Sequence, residues 1–203
     1  MALVLLGVLT KETIGAEIAG GVSSYYDTRG MPTASVTLSA PTLPLGTKFF
    51  GFTDFFMSKE DNAQFDNAYG EYKLSKTVWQ GINISGEYNR DFSYPNGIHR
   101  LGISYEPNLS KIMKNGFFGM TFYPFATEND GAQVVLYGNK NFRNGDMYIS
   151  GFFDYNFRPN NVVTEVQLGK RIKKDFYFVV EGRYNGFQKK DSLGVGVGLE
   201  IKF

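Results

Sequence analysis

Ser192-Leu-Gly-Val-Gly-Val-Gly-Leu-Glu-Ile-Lys-Phe203 is the stretch whose reading decides the fold. Leu193, Val195, Val197, Leu199, Ile201 and Phe203 share one parity, and Gly194, Gly196, Gly198, Glu200 and Lys202 share the other. Successive side chains of a strand point to opposite faces, so one face here is wholly apolar and the other small or charged. A soluble, half-buried sheet gives the same alternation. The glycine face, however, suits the inside of a curved wall, where side chains crowd.

Composition bounds the classes that remain. A chain of 203 residues is one domain by length. With 21 Lys+Arg against 20 Asp+Glu it lacks the basic footprint of a nucleic-acid binder. There are 19 Phe, 13 Tyr and 24 Gly, a surplus that favours strands with tight bends over helices. No cysteine is present, which excludes a disulfide framework and thiolate metal sites, and no cofactor motif is visible. No apolar run approaches the ~18 residues of a spanning helix, so a membrane position requires a closed barrel, in which every backbone group is paired.

Residues 2–9 form an apolar run of the length of a signal-peptide core, without a preceding Lys or Arg. Segment 1–15 therefore reads either as a truncated signal peptide or as a short strand or plug. Residues 16–203 read as the barrel. Twelve strand-like runs follow: Ala16–Tyr26, Thr33–Ser39 (ended by Pro41 and Pro44), Thr47–Ser58, Asn67–Ser75, Ile82–Asn89, Ile98–Glu106, Gly116–Phe125, Ala132–Phe142, Met147–Phe157, Val162–Arg171, Phe176–Asn185 and the terminal strand. Asn144-Gly145 is a strong hairpin signal, and Trp79 falls in the predicted turn between the fourth and fifth runs. An even number of segments near ten residues, with aromatics gathered at their ends on the apolar parity, predicts an all-β, transmembrane, antiparallel up-and-down β-barrel of twelve strands. A soluble barrel or sandwich with the apolar parity inside is the alternative.

If the apolar parity faces lipid, the lumen receives Glu71, Lys73, Glu87, Arg100, Asp154, Glu165, Arg171, Glu181, Arg183, Glu200 and Lys202. Six acids and five bases nearly balance, which suits an uncharged polar solute or a self-neutralising network. The third run supplies the sharpest candidate. One facing turns Lys48, Phe50, Phe52, Asp54 and Phe56 inward, three rings flanking a carboxylate; the opposite facing gives those rings to lipid. Tyr137, Tyr148, Phe152 and Tyr177 are further lumen-parity aromatics. The single histidine, His99, lies on the lipid parity, where no nucleophile–base–orienter set is legible, so catalysis is not expected. Gly194-Val-Gly-Val-Gly198 is no phosphate loop, since no helix follows it.

The alternating terminal strand ending in Phe203 resembles the assembly signal of bacterial outer-membrane barrels. That resemblance implies an integral position in the bacterial outer membrane, lipid as a partner, and recognition by the barrel-assembly machinery. Twelve short strands together with Gly51-Phe-Thr-Asp-Phe-Phe56 resemble the nucleoside-specific channel-forming (Tsx-like) family of Gram-negative bacteria. The resemblance implies a narrow lumen that passes nucleosides passively, with an aromatic-plus-carboxylate constriction supplied by Phe50, Phe52, Asp54 and Phe56. A passive porin-like channel for small polar solutes is the expected function, with nucleosides as what the resemblance implies. A non-conducting structural or surface-interaction barrel with a charge-filled lumen is the alternative.

Overall fold

The computed structural model describes residues 18–29, 32–58 and 65–203. Segment 1–15, with its two readings, lies outside the described residues. Twelve strands run in order: β1 (Ala19–Asp27), β2 (Pro32–Leu43), β3 (Thr47–Met57), β4 (Phe65–Trp79), β5 (Ile82–Asp91), β6 (Ile98–Tyr105), β7 (Gly116–Ala126), β8 (Gln133–Phe142), β9 (Met147–Asn156), β10 (Asn161–Lys173), β11 (Phe176–Asn185) and β12 (Leu193–Lys202). Each pairs antiparallel with its sequence neighbour, and β1 pairs with β12, closing the barrel. Closure leaves no unpaired edge, the condition for a β wall in lipid.

The seam shows why β12 carries glycines. Gly21 to Asp27 of β1 register against Lys202 to Gly196. A Cβ on Gly198 would stand 2.2 Å from the Ser24 carbonyl oxygen and 2.7 Å from the Tyr25 ring. Inside the wall, Tyr25 occupies the space that a β12 side chain would need.

The facing of the wall is that of a membrane barrel. Leu193, Val195, Val197, Leu199, Ile201 and Phe203 are 45–67% exposed on the outside. Leu101, Ile103, Val166, Leu168 and Phe178 continue that apolar surface. The most deeply buried side chains are largely polar: Asn83, Ser85, Ser104, Thr121 and Tyr123, with Val179 the apolar exception. The soluble alternative, apolar inside and polar outside, is thereby overturned. Trp79, Tyr94, Tyr105, Phe157 and Phe203 lie exposed at or near strand ends, where interfacial aromatics belong.

Several boundaries differ from expectation for identifiable reasons. Strand β2 continues through Pro41 to Leu43. Its pairing with β1 ends at Ser39, and its pairing with β3 skips between Ala40 and Leu43, so Pro41 sits where no ladder donor is needed. Strand β4 reaches Trp79, which is therefore the last strand residue rather than part of the turn. The turn is Gln80-Gly81, both at positive φ. Strand β7 absorbs Pro124 in a bulge, since its pairing to β6 jumps from Phe122 opposite Ile103 to Phe125 opposite Leu101.

Candidate functional site: the lumen

The inward parity encloses a cavity of about 750 Å³. It runs from the end that carries the chain's β1 start and β12 finish (Ala19, Ser39, Lys48, Asn139, Lys202) to a layer at mid-wall formed by Asp54, Glu71, Glu87, Asp154, Glu165 and Arg183. Strand β3 supplies Lys48, Phe50, Phe52 and Asp54 to this cavity, so the facing that gives Phe50 and Phe52 to lipid is excluded. The Phe52 ring lies 6.4 Å from Phe50 and 6.0 Å from Tyr69. Tyr137, Tyr148 and Phe152 also line it, with Phe117 at the same mouth as Asn139.

Side chains reach across the lumen from wall to wall. Arg183 of β11 donates through Nη1 to Asp54 Oδ2 of β3 at 3.1 Å. Its Nε lies 2.9 Å from Glu165 Oε2 and against Glu181, but the N–H points off both lines, so these contacts are ionic rather than hydrogen bonds. The Ser35 hydroxyl donates to Asp54 Oδ1. Gln167 Nε2 donates to the Tyr25 hydroxyl, joining β10 to β1. The Tyr148 hydroxyl stands 2.6 Å from both Gln167 Oε1 and Glu200 Oε2. Nearer the mouth, Lys48 Nζ donates to Glu106 Oε2 at 2.6 Å, and the Tyr137 hydroxyl to Glu106 Oε1 at 2.9 Å. Lys73 Nζ donates to Thr121 Oγ1 at 2.7 Å and rests 4.4 Å from the centre of the Tyr137 ring. Lys202 Nζ rests 3.3 Å from the centre of the Tyr148 ring. Two tyrosine faces are thus covered by ammonium groups.

Beyond the mid-wall layer the interior is filled. Arg100 bridges Glu87 at 3.0 Å and Asp130. Asn89 Nδ2 donates to Tyr69 at 3.1 Å, and Gln133 Nε2 to Asp154 at 3.4 Å. Asp27 pairs with Arg29, whose guanidinium covers Gly194.

Not every predicted residue meets the cavity. Phe56 lies past Asp54 toward the filled end, in register with Thr33 and Asn67. Tyr177 is buried edge-on to Tyr148, 5.6 Å between centres, and with Arg171 bonds the Gly145 carbonyl of the β8–β9 turn. Arg100 and Glu181 are buried in ion pairs off the cavity. The expected near-balance of charge is corrected by these positions. Glu106 joins the lining from the β6–β7 connection, together with Asp54 and Lys48. Seven carboxylates (Asp54, Glu71, Glu87, Glu106, Asp154, Glu165, Glu200) then face four cations (Lys48, Lys73, Arg183, Lys202). The cavity is acidic.

Sequence reading missed Glu106, Tyr25, Tyr69 and Gln167 as lumen partners. Glu106 falls just past β6, where strand parity no longer applies. Gln167 sits on the parity assigned to the lumen but carries no charge to single it out. His99 faces outward with its ring 4.7 Å from that of Tyr88, and among the described residues its imidazole makes no hydrogen bond.

No protein-family model matches the sequence, and no curated protein is similar to it. Among solved structures the chain is similar to the KdgM porin in complex with disordered oligogalacturonate, at 14% identity over 91% of this chain and 99% of that one, with a TM-score of 0.58. It is similar to outer membrane phospholipase A from Escherichia coli, at 11% identity over 93% and 98%, TM-score 0.60. It is similar also to the NanC porin, at 10% identity over 91% and 100%, TM-score 0.59. At these identities the likeness is one of fold, shared by porins and an enzyme alike. With its closed twelve-stranded wall and apolar exterior, the chain is an integral outer-membrane β-barrel.

Proposed function

We propose that the barrel is a passive outer-membrane channel for small polar solutes rich in hydrogen-bond donors, with nucleosides the first candidates. One observation carries the reading: the 750 Å³ cavity places free phenylalanine rings beside a layer of carboxylates. Lysines cover the Tyr137 and Tyr148 faces, which leaves Phe50, Phe52 and Phe152 to stack a flat base. Asp54, Glu165 and the cavity's other carboxylates accept donors from the base and sugar, replacing lost hydration. Passage requires Arg183 to release Asp54, because that pair crosses the lumen, and the packing around Arg100 beyond it to open. Oligogalacturonate, named with one structural neighbour, is a polyanion, and seven carboxylates against four cations oppose it here. The reading is transport rather than catalysis. Recognition of β12 and Phe203 by the barrel-assembly machinery belongs to the same proposal.

A non-conducting barrel is the second reading, favoured by the filled end around Arg100 and the Arg183–Asp54 crossing. Single-channel current through the refolded protein in a planar bilayer separates the two. The channel predicts small, stable steps blocked by nucleosides and not by sugars of similar size. Folded protein without conductance would hand the case to the closed barrel. Phe52→Ala is expected to weaken nucleoside block about tenfold, since stacking a base on an aromatic ring contributes about 1–3 kcal/mol. Undiminished block in the folded variant would remove Phe52 from the site.

A further inference from the structure

Arg100 and Arg183 together engage Glu87, Asp130, Asp54, Glu165 and Glu181, but two carboxylates of the mid-wall layer stand apart. Glu71 of β4 and Asp154 of β9 reach into the cavity and, among the described residues, belong to no ion pair. Lys73, the nearest free-standing cation on β4, turns instead to the hydroxyls of Thr121 and Tyr137. Glu71, Glu87 and Asp154 are close enough to act on one another electrostatically, and the charges of Arg100 and Lys73 act on Glu71 and Asp154 as well. That leaves three carboxylates against two cations, of which Arg100 is already held by Glu87 and Asp130.

An independent observation points to what is missing. Among the described residues, three buried acceptor atoms have no donor: Asp154 Oδ1 in the layer itself, and Gln133 Oε1 and Asn89 Oδ1 in the packing just beyond it. Gln133 and Asn89 are 3% and 6% exposed. Their amide orientations are fixed, because the NH2 of Gln133 already serves Asp154 and that of Asn89 serves Tyr69, which in turn donates to Glu71. The unpaired ends of both side chains are therefore carbonyl oxygens, one on a side chain bonded to Asp154 and the other on a side chain linked through Tyr69 to Glu71. Among the described residues, four buried donor groups also lack hydrogen-bond partners: Arg100 Nε and the Tyr123 hydroxyl stand on the Glu87 side, Arg183 Nε lies against Glu165 and Glu181, and Arg90 Nε belongs to the residue after Asn89 on β5. A buried acceptor without a donor is left with its desolvation uncompensated, so three together favour a ligand that brings several N–H groups and a positive charge.

We propose that Glu71 and Asp154, backed by Gln133 and Asn89, form a mid-lumen site for the ammonium group of a small organic amine. The site selects cationic, amine-bearing solutes from the wider class that the channel admits. It rests on the channel reading only for the route by which the amine arrives. An ammonium carries three donors and no acceptor, matching the unpaired carboxylate and amide oxygens of this cluster, and the Phe152 and Phe52 rings of the same cavity accommodate the attached carbon chain.

Calorimetric titration of the refolded full-length chain in detergent with 1,4-diaminobutane, and with 1,4-butanediol as the neutral control, tests this without requiring conduction. The diamine is expected to bind at least tenfold more tightly than the diol. The double variant E71Q/D154N, refolded to the same circular-dichroism spectrum, is expected to lose that preference. Equal binding of diamine and diol, an unchanged preference in the variant, or displacement of the diamine by equimolar Na+ would each overturn the site. Should the double variant not refold, D154N alone and the wild-type comparison carry the same decision. Planar-bilayer recordings in a KCl gradient separate the two proposals. Conductance without preference for K+ over Cl− would overturn the amine site and leave the channel standing. Amine binding by a protein that passes no current would do the reverse.

Discussion

Arg183 holds Asp54, Glu165 and Glu181 together, and removing it strands three carboxylates in an interior with few other cations. Breaking a buried pair by deleting one partner costs about 3–5 kcal/mol, because the remaining charge is left uncompensated. Arg183→Met is therefore expected to lower the unfolding free energy by about 3 kcal/mol or more, read from urea unfolding through the fluorescence of Trp79, the only tryptophan. Arg183→Lys, with one compact ammonium in place of a fork, should recover only part of the loss. Glu106 gives a prediction in pH. Burial alone would raise its pKa, but hydrogen bonds from Lys48 and Tyr137 and the charges of Lys48 and Lys73 outweigh that and hold the carboxyl below its ordinary value. A depressed carboxyl contributes stability above its unfolded pKa and loses it as pH falls through the folded one. The tie between β3 and the β6–β7 connection should thus be intact above about pH 4.5 and fade below it. Glu106→Gln should flatten that acid limb of the stability curve; an unaltered limb would mean the tie does not contribute. Asp54 could be picked from sequence because parity and neighbouring rings singled it out, whereas Glu106 could not, since a connection carries no alternation.

At the scale of the strand, the alternation of β12 was legible residue by residue, because every apolar residue of it faces outward. The legibility failed where pairing is irregular. Pro41 looks like a stop in sequence, but it is tolerated because β2 has already parted from β1 and skips in its pairing with β3. Trp79 looked like a turn residue because nothing in sequence shows that β4 runs 15 residues. The β1–β12 seam tests whether glycine there is required or merely permitted. Gly198→Val would drive its Cβ into the Ser24 carbonyl, a backbone atom that cannot swing aside. Overpacking typically costs about 1–3 kcal/mol, and a backbone clash at the closing seam sits at or above the top of that range. A reduced fraction of the compact, heat-modifiable band on unboiled SDS gels is the expected result. Gly182→Ala, where an added Cβ meets nothing within 4 Å, is the control that should leave the band unchanged.

For the whole molecule, the division of outside from inside is the organising fact, and it makes charge tolerance depend on facing. Val197, midway along β12 and exposed on the outer wall, is expected to cost about 2–4 kcal/mol when changed to Arg in a bilayer. Equilibrium unfolding from liposomes measures this, and a negligible change would contradict lipid contact at that position. The interior has a different kind of consequence. Current through a wide aqueous pore rises with temperature only as fast as the electrolyte thins. In the channel proposed above, the path narrows at a salt bridge that spans from β11 to β3 and continues into the packing around Arg100, so an ion or solute would get by only as Arg183 lets go of Asp54 and that packing opens. Conductance should therefore climb more steeply on warming than the conductivity of the bathing solution, with an Arrhenius slope that reports the breaking of that bridge. Replacing Asp54 with Asn should lower the slope by the part this bridge contributes, loosening one latch while the Arg100 cluster keeps the other.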